Sequence, residues 1–138
     1  MKIKKVFDSF ALLVYLNMEE GYRQVKDLLS SEETVISINE INLGEVFYIL
    51  ARARGLDQAE FFLNTIYPSL PLKKLGNTFQ DVLEAARIKA RYAVSYADCF
   101  AAATAVREKA HVVTGDPEFK KLEGIIEVDW LGNKEIGV

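Results

Sequence analysis

The chain alternates between two kinds of hydrophobic pattern. Short apolar runs of strand length are separated by longer stretches in which apolar residues recur every three or four positions. The first run, residues 2–7, ends in Val6-Phe7-Asp8 and reads as a strand; Ala11-Leu12-Leu13-Val14 then places a short helix over 9–16. A second helix over 19–30 carries Tyr22, Val25, Leu28 and Leu29 on one face. Thr34-Val35-Ile36-Ser37-Ile38 is the second strand, and Asn39 opens a long helix that Gly55 closes, as glycine does just past a helix end. Asp57 and Glu60 have capping-box spacing for a further helix carrying Phe61, Phe62, Leu63 and Ile66. Pro68 and Pro71 bracket an extended piece at 70–72, and Asn77 caps a helix running to about Arg91. Ser95 starts an alanine-rich helix over 96–109, with strands at 111–113 and 125–128 closing the pattern.

Strands separated by helices predict an α/β fold, a central parallel sheet of about five strands covered by helices on both faces. Residues 1–138 are expected to form a single domain, since a chain of that length can bury one real core. In such sheets, chain leaving the carboxyl ends of the strands lines the crevice where ligands bind. That rule singles out Val112-Val113-Thr114-Gly115-Asp116-Pro117, an apolar run ending abruptly on a carboxylate, and its echo Phe7-Asp8-Ser9.

Each acid has an ordinary alternative. Asp116 before Pro117 makes a good N-cap and first helical residue, and Asp8 has the same excuse before its helix. Asp98 fits a Ser-x-x-acid cap with Ser95, yet it is the only charged residue from Tyr96 to Val106. A helix apolar nearly all round is buried on most sides, and a carboxylate there must be paired, hydrogen-bonded or on a metal. Glu45 lies too deep in its helix to cap it. It occupies a row with Ile41 and Ile49, apart from the main apolar face of Leu43, Val46, Phe47 and Leu50, and Asn42 is its nearest polar neighbour. In a doubly wound sheet Asp8, Glu45, Asp98 and Asp116 can converge on one edge, where they would repel one another unless cations neutralise them.

Composition narrows the choice of cation. One Cys and one His leave no thiolate–imidazole zinc site and no internal disulfide, so a bound metal would sit on oxygen ligands, which favours Mg2+, Mn2+ or Ca2+. Magnesium holding a phosphate and activating water is the usual solution for phosphodiester hydrolysis. A net charge of −3 does not mark a general polyanion binder, though a local cluster or bound cation can outweigh it. The basic start Met1-Lys2-Ile3-Lys4-Lys5 is cut by Asp8 and reads as a strand rather than a signal peptide. No apolar run approaches the roughly 20 residues that span a bilayer. A cytoplasmic protein without membrane association is expected.

Taken in order, Val6-Phe7-Asp8-Ser9-Phe10-Ala11-Leu12-Leu13, Glu45 behind Asn42, Ser95-Tyr96-Ala97-Asp98-Cys99-Phe100-Ala101-Ala102-Ala103 and Thr114-Gly115-Asp116-Pro117-Glu118-Phe119 resemble the PIN-domain nucleases. The resemblance is greatest to compact VapC-type toxins of toxin–antitoxin pairs and covers essentially the whole chain. It implies that Asp8, Glu45, Asp98 and Asp116 are the metal-binding acids, with Ser9, Asn42 and Thr114 supporting them. It implies a Mg2+- or Mn2+-dependent endoribonuclease acting on single-stranded or looped RNA, leaving 5′-phosphate and 3′-hydroxyl ends. It also implies a homodimer and a protein antitoxin whose tail lies across the site. Cys99 and Phe100 depart from the Asp-Ala pair often found after the third acid, and Phe10 is bulky beside Asp8.

RNA binding needs cations beside the acids. Arg52, Arg54, Lys73, Lys74, Lys120 and Lys121 are candidates, and Arg52 is favoured because seven residues from Glu45 places it on nearly the same face. The alternative for each is an ordinary solvated charge. Tyr48, Phe61 and Phe62 are expected in the core, or else on a dimer or antitoxin surface. Cys99 reads as a small buried apolar residue, and His111 as an exposed residue ahead of a strand. The rival functions are a stand-alone PIN-type RNase, a catalytically silent RNA- or protein-binding domain of the same fold, and a phosphoacceptor signalling domain. The last would want paired acids after strand one and a lysine ending a late strand, neither of which this sequence has.

Overall fold

A computed structural model describes residues 2–132; Met1 and residues 133–138, which the expected 1–138 domain also takes in, lie outside the described residues. The strands are β1 (Ile3–Phe7), β2 (Thr34–Asn39), β3 (Leu72–Leu75), β4 (His111–Thr114) and β5 (Val128–Trp130). The helices are α1 (Ser9–Asn17), α2 (Tyr22–Ser30), α3 (Glu40–Arg54), α4 (Leu56–Phe61), α5 (Phe79–Arg91) and α6 (Tyr96–Glu108). Among the described residues the strands form one sheet in the order β3-β2-β1-β4-β5, each neighbouring pair parallel.

β1 is the middle strand, and its alternation divides the core. Phe7 joins Leu12, Val25, Ile38 and Val46 beneath α1, α2 and α3, while Val6 joins Ala85, Phe100, Ala101 and Val112 beneath α5 and α6. Helices therefore cover both faces, as expected. The chain steps outward from β1 through β2 to β3, then returns across β1 to add β4 and β5. Strand order reverses between β1 and β4, and the carboxyl ends of those two strands flank the crevice that such a reversal opens.

Several local expectations are corrected. α2 begins at Tyr22 rather than Glu19, because Gly21 turns the chain at φ +97, with space so tight that a Cβ would lie 3.1 Å from the Leu131 Cβ. The Asp57–Glu60 box is not made; Gly55 both ends α3 and starts α4, and the chain continues from α4 through a π-helical turn at Phe62–Ile66. Thr78, not Asn77, caps α5, in a reciprocal box with Asp81. β3 lies beyond Pro71, whose missing N–H is harmless ahead of an edge strand. β5 starts three residues later than the apolar pair Ile125-Ile126 indicated. Both amides bond back to the Leu122 carbonyl, and Ile126 fills the core from a turn. His111 is half-buried, with Nδ1 3.0 Å from Asp129 and Nε2 3.3 Å from Glu127. Of the three aromatics, Phe62 is in the core while Tyr48 and Phe61 are exposed. Cys99 is buried and free, as expected.

One buried polar cluster binds the site's scaffold. Asn39, fully buried at the end of β2, accepts the Ile41 N–H at 2.9 Å and so caps α3. Its amide donates to Thr104 Oγ1 of α6 at 2.9 Å and to Asn77 Oδ1 at 2.8 Å. Among the described residues no helix is long and apolar enough to cross a membrane. Asn39→Ala removes a cap and strands the Thr104 and Asn77 groups, so it is expected to destabilise the protein by about 1–3 kcal/mol in urea unfolding. Thr104→Val should then cost less in the Asn39→Ala background than alone.

Candidate metal centre

The centre starts from two strand ends. Asp8 follows β1 directly in an extended conformation, and its Oδ1 accepts the Ala11 N–H at 2.9 Å, capping α1. Its Oδ2 accepts the Thr114 hydroxyl of β4 at 2.5 Å. The same hydroxyl oxygen accepts the Asp116 N–H at 3.0 Å, and Asp116 Oδ1 accepts the Glu118 N–H at 2.9 Å to cap the 3-10 helix Pro117–Leu122. Asp8 and Asp116 are therefore helix caps, and each keeps further lone pairs free for another partner.

Asp98 departs from the capping reading in an informative way. Thr78 and Asp81 complete both arms of their box, but Ser95 makes only one, accepting the Asp98 N–H at 3.1 Å. The reciprocal bond from the Ser95 backbone to the Asp98 carboxylate is not made, although Asp98 is buried. Glu45, half-buried on α3, accepts the Ser9 hydroxyl at 2.7 Å, which ties α3 to the first residue of α1. Asn42 donates to the Ala97 carbonyl at 3.0 Å and so links α3 to the first turn of α6. Its Oδ1 is buried and has no hydrogen-bond partner among the described residues.

Electrostatics show which of these groups sense one another. Burial pushes the Asp8 carboxyl up to about 8, against the lowering effect of its Thr114 and Ala11 hydrogen bonds; Asp98 and Asp116 push it further. Asp98 is raised to about 6, first by burial and then by Asp116, against the lowering effect of the Ser95 side chain, with Glu45 and Glu118 adding to the repulsion. The four predicted acids thus form one electrostatic group at the β1/β4 reversal. Glu118 joins them and was not among the predicted residues. An acid in the first turn of a helix reads as an ordinary complement to the helix dipole, which conceals such a residue in sequence. Arg52 is not part of the group. It is exposed, two turns along α3 from Glu45, with its guanidinium 5.5 Å from the Tyr48 ring centroid.

The donor set is entirely hard oxygen, which fits a divalent cation such as magnesium or manganese and not a soft one. The buried, unpartnered Asn42 Oδ1 beside the first turn of α6 fits it too, as a place for a hydrogen-bond donor such as a cation's water. The side chains are not preset as a closed cage: among the described residues no three His, Cys, Asp or Glu are gathered to hold an ion. Gly115 sets the approach of the last acid. A Cβ there would lie 2.5 Å from Phe10 Cε1, so the bulky Phe10 ring occupies space that only glycine leaves.

This is a doubly wound α/β fold with an all-oxygen acidic crevice where strand order reverses. A PIN-domain family model matches residues 5–125, and the chain belongs to that family. No curated protein sequence matches it. The fold is similar to VapBC2 from Rickettsia felis, crystallised with a promoter DNA fragment, at 18% identity and a TM-score of 0.74 over 94% of this chain and 99% of that one. It is also similar to VapC20 of Mycobacterium tuberculosis, described as a sarcin–ricin loop cleaving toxin, at 20% identity and a TM-score of 0.73 over 90% and 98%. DNA-bound VapBC from Salmonella typhimurium gives 21% identity and a TM-score of 0.70 over 92% and 97%.

Two outcomes follow from this geometry. Asp8 ionises near 4 when unfolded and at about 8 in the fold, so its contribution is fully present below about pH 4 and lost as pH rises towards 8. Without divalent cations the melting temperature should therefore fall between about pH 5 and 8, and Asp8→Asn should flatten the fall and melt above the parent at about pH 8. Gly115→Ala must displace Phe10 and is expected to cost about 1–3 kcal/mol in urea unfolding.

Proposed function

We propose that this protein is a Mg2+- or Mn2+-dependent endoribonuclease of the VapC type, acting on single-stranded or looped RNA and held in check by a protein antitoxin. The observation that carries the reading is the gathering of Asp8, Asp98, Asp116 and Glu45 in one crevice, where burial first and repulsion among neighbouring acids second raise Asp8 to about 8 and Asp98 to about 6. A fold that keeps such a group has a use for a cation there. Membership of the PIN family and the VapBC neighbours support the nuclease and antitoxin parts of the reading, and VapC20 supports RNA as substrate.

In this reading Asp8, Glu45, Asp98 and Asp116 hold the metal. When bound, it polarises the scissile phosphate and lowers the pKa of an attacking water. Thr114 fixes the Asp8 carboxylate through its hydroxyl, and Ser9 orients Glu45. Asn42 holds the start of α6 against α3 and so sets where Asp98 sits. Arg52 meets the RNA backbone beyond the acids. Asp8 and Asp98 must lose their protons to bind metal, so cation affinity should rise with pH through about 6 and about 8.

The test is cleavage of end-labelled RNA with magnesium or manganese. EDTA should abolish it and either ion restore it. Thr114→Val should lose about 10–100-fold, as removal of a ligand's hydrogen-bond partner does, and Asp98→Asn should lose more. Full activity in Asp98→Asn would remove the metal-site assignment. Calorimetric titration of magnesium at about pH 6 and 8 should show tighter binding at the higher pH.

A further inference from the structure

The outward row of α3 continues past the acids. Ile41, Glu45, Tyr48 and Arg52 follow one another at spacings of four, three and four residues, which keeps them on one side of the helix. From Glu45 to Arg52 is about 10.5 Å along the axis, at about 1.5 Å per residue. Tyr48 lies in the middle of this row with 48% of its surface exposed.

Arg52 lies over the Tyr48 ring with the guanidinium carbon 5.5 Å from the centroid. Among the described residues Arg52 forms no salt bridge, while Arg107 is paired with Asp81 and Lys121 with Glu118. One turn back towards the acids, Gly44 leaves open space on the helix: an added Cβ would meet nothing within 4 Å. Helical side chains lean towards the N-terminus, so Tyr48 leans towards the turn that carries Glu45. The result is an exposed aromatic three residues from Glu45, stacked with a cation that forms no salt bridge among the described residues.

An exposed aromatic plane with an arginine beside it is what a single-stranded nucleobase stacks on, since every base has a π-face and a duplex hides it. We propose that Tyr48 and Arg52 form a stacking subsite for a nucleobase next to the scissile phosphate, with Tyr48 taking the base and Arg52 the following phosphate. This rests on the nuclease reading above and deepens it. It favours unpaired RNA, and it gives the subsite no strong preference among bases, because stacking makes no hydrogen-bond readout. The charged members of the row, Glu45 and Arg52, favour a polyanion led towards a cation-filled acid site over an apolar helix face of a partner.

The test separates base from backbone. In an Asp98→Asn background, which allows binding to be read without cleavage, the affinity for a labelled single-stranded oligoribonucleotide is compared with that for an abasic oligomer of equal length. Tyr48→Ala is expected to weaken the base-bearing strand about tenfold and leave the abasic one unchanged. Tyr48→Trp should keep affinity, and Arg52→Ala should weaken both strands. Equal binding by Tyr48→Ala and its parent, equal loss on both strands, or no binding by the parent overturns the subsite. So does a dimer that Tyr48→Ala makes monomeric in light scattering, which would assign the face to a second copy. RNA cleavage by the unmodified protein is scored separately. Cleavage with an indifferent Tyr48 removes only the subsite, whereas absence of cleavage with either metal removes the nuclease reading itself.

Discussion

The hydroxyl of Thr114 is the join on which the site depends. It donates to Asp8 at the end of β1 and accepts from the backbone of Asp116 just past the end of β4. β1 and β4 are paired in parallel, so their carboxyl ends arrive together, and two acids arrive with them. A serine could offer the same hydroxyl, but threonine also suits the last position of a buried strand, where its branched carbon packs well.

Three of the acids stand where a helix begins: Asp8 at α1, Asp98 in the first turn of α6, and Asp116 at the 3-10 helix. Helix N-termini carry partial positive charge and favour carboxylates. Here that help is too small. Asp8 accepts two hydrogen bonds and is still raised to about 8, so burial and like charge outweigh the cap and the helix end together. Asp8 and Asp116 cap and cluster at once, while Asp98 sits in a capped first turn whose reciprocal backbone arm is not made. Dual use of this kind explains why capping and function are poor alternatives to set against one another at these positions.

Much of the architecture was legible because long periodic segments separate short apolar ones. Buried strands such as Val112-Val113 and amphipathic helices such as α2 announce themselves whatever surrounds them. What failed was decided by partners distant in sequence. Asn77 is a good cap by type, but Asn39 claims its side chain and leaves the cap to Thr78. Ile125-Ile126 look like a strand, yet the turn after Leu122 holds both, sends only Ile126 into the core and postpones β5. In the site, Asp98 was legible as a lone charge in an apolar helix. Glu118 was not, since only the fold brings it within range of Asp98. The sequence likewise gave no hint that Tyr48 would stay uncovered, because its apolar character is that of a core residue.

The Thr114–Asp8 bond closes a loop of 106 residues. Central β1 is the first strand made and must wait for β4 before its carboxyl end is complete. Contacts this far apart carry the largest loop-closure cost and form late in folding. During synthesis a ribosome-held chain can fold α1, α2, β2 and α3 onto β1 while Asp8 and Glu45 still have no counterparts. The acidic centre comes into existence only when residue 116 has left the exit tunnel, so no shorter intermediate carries it.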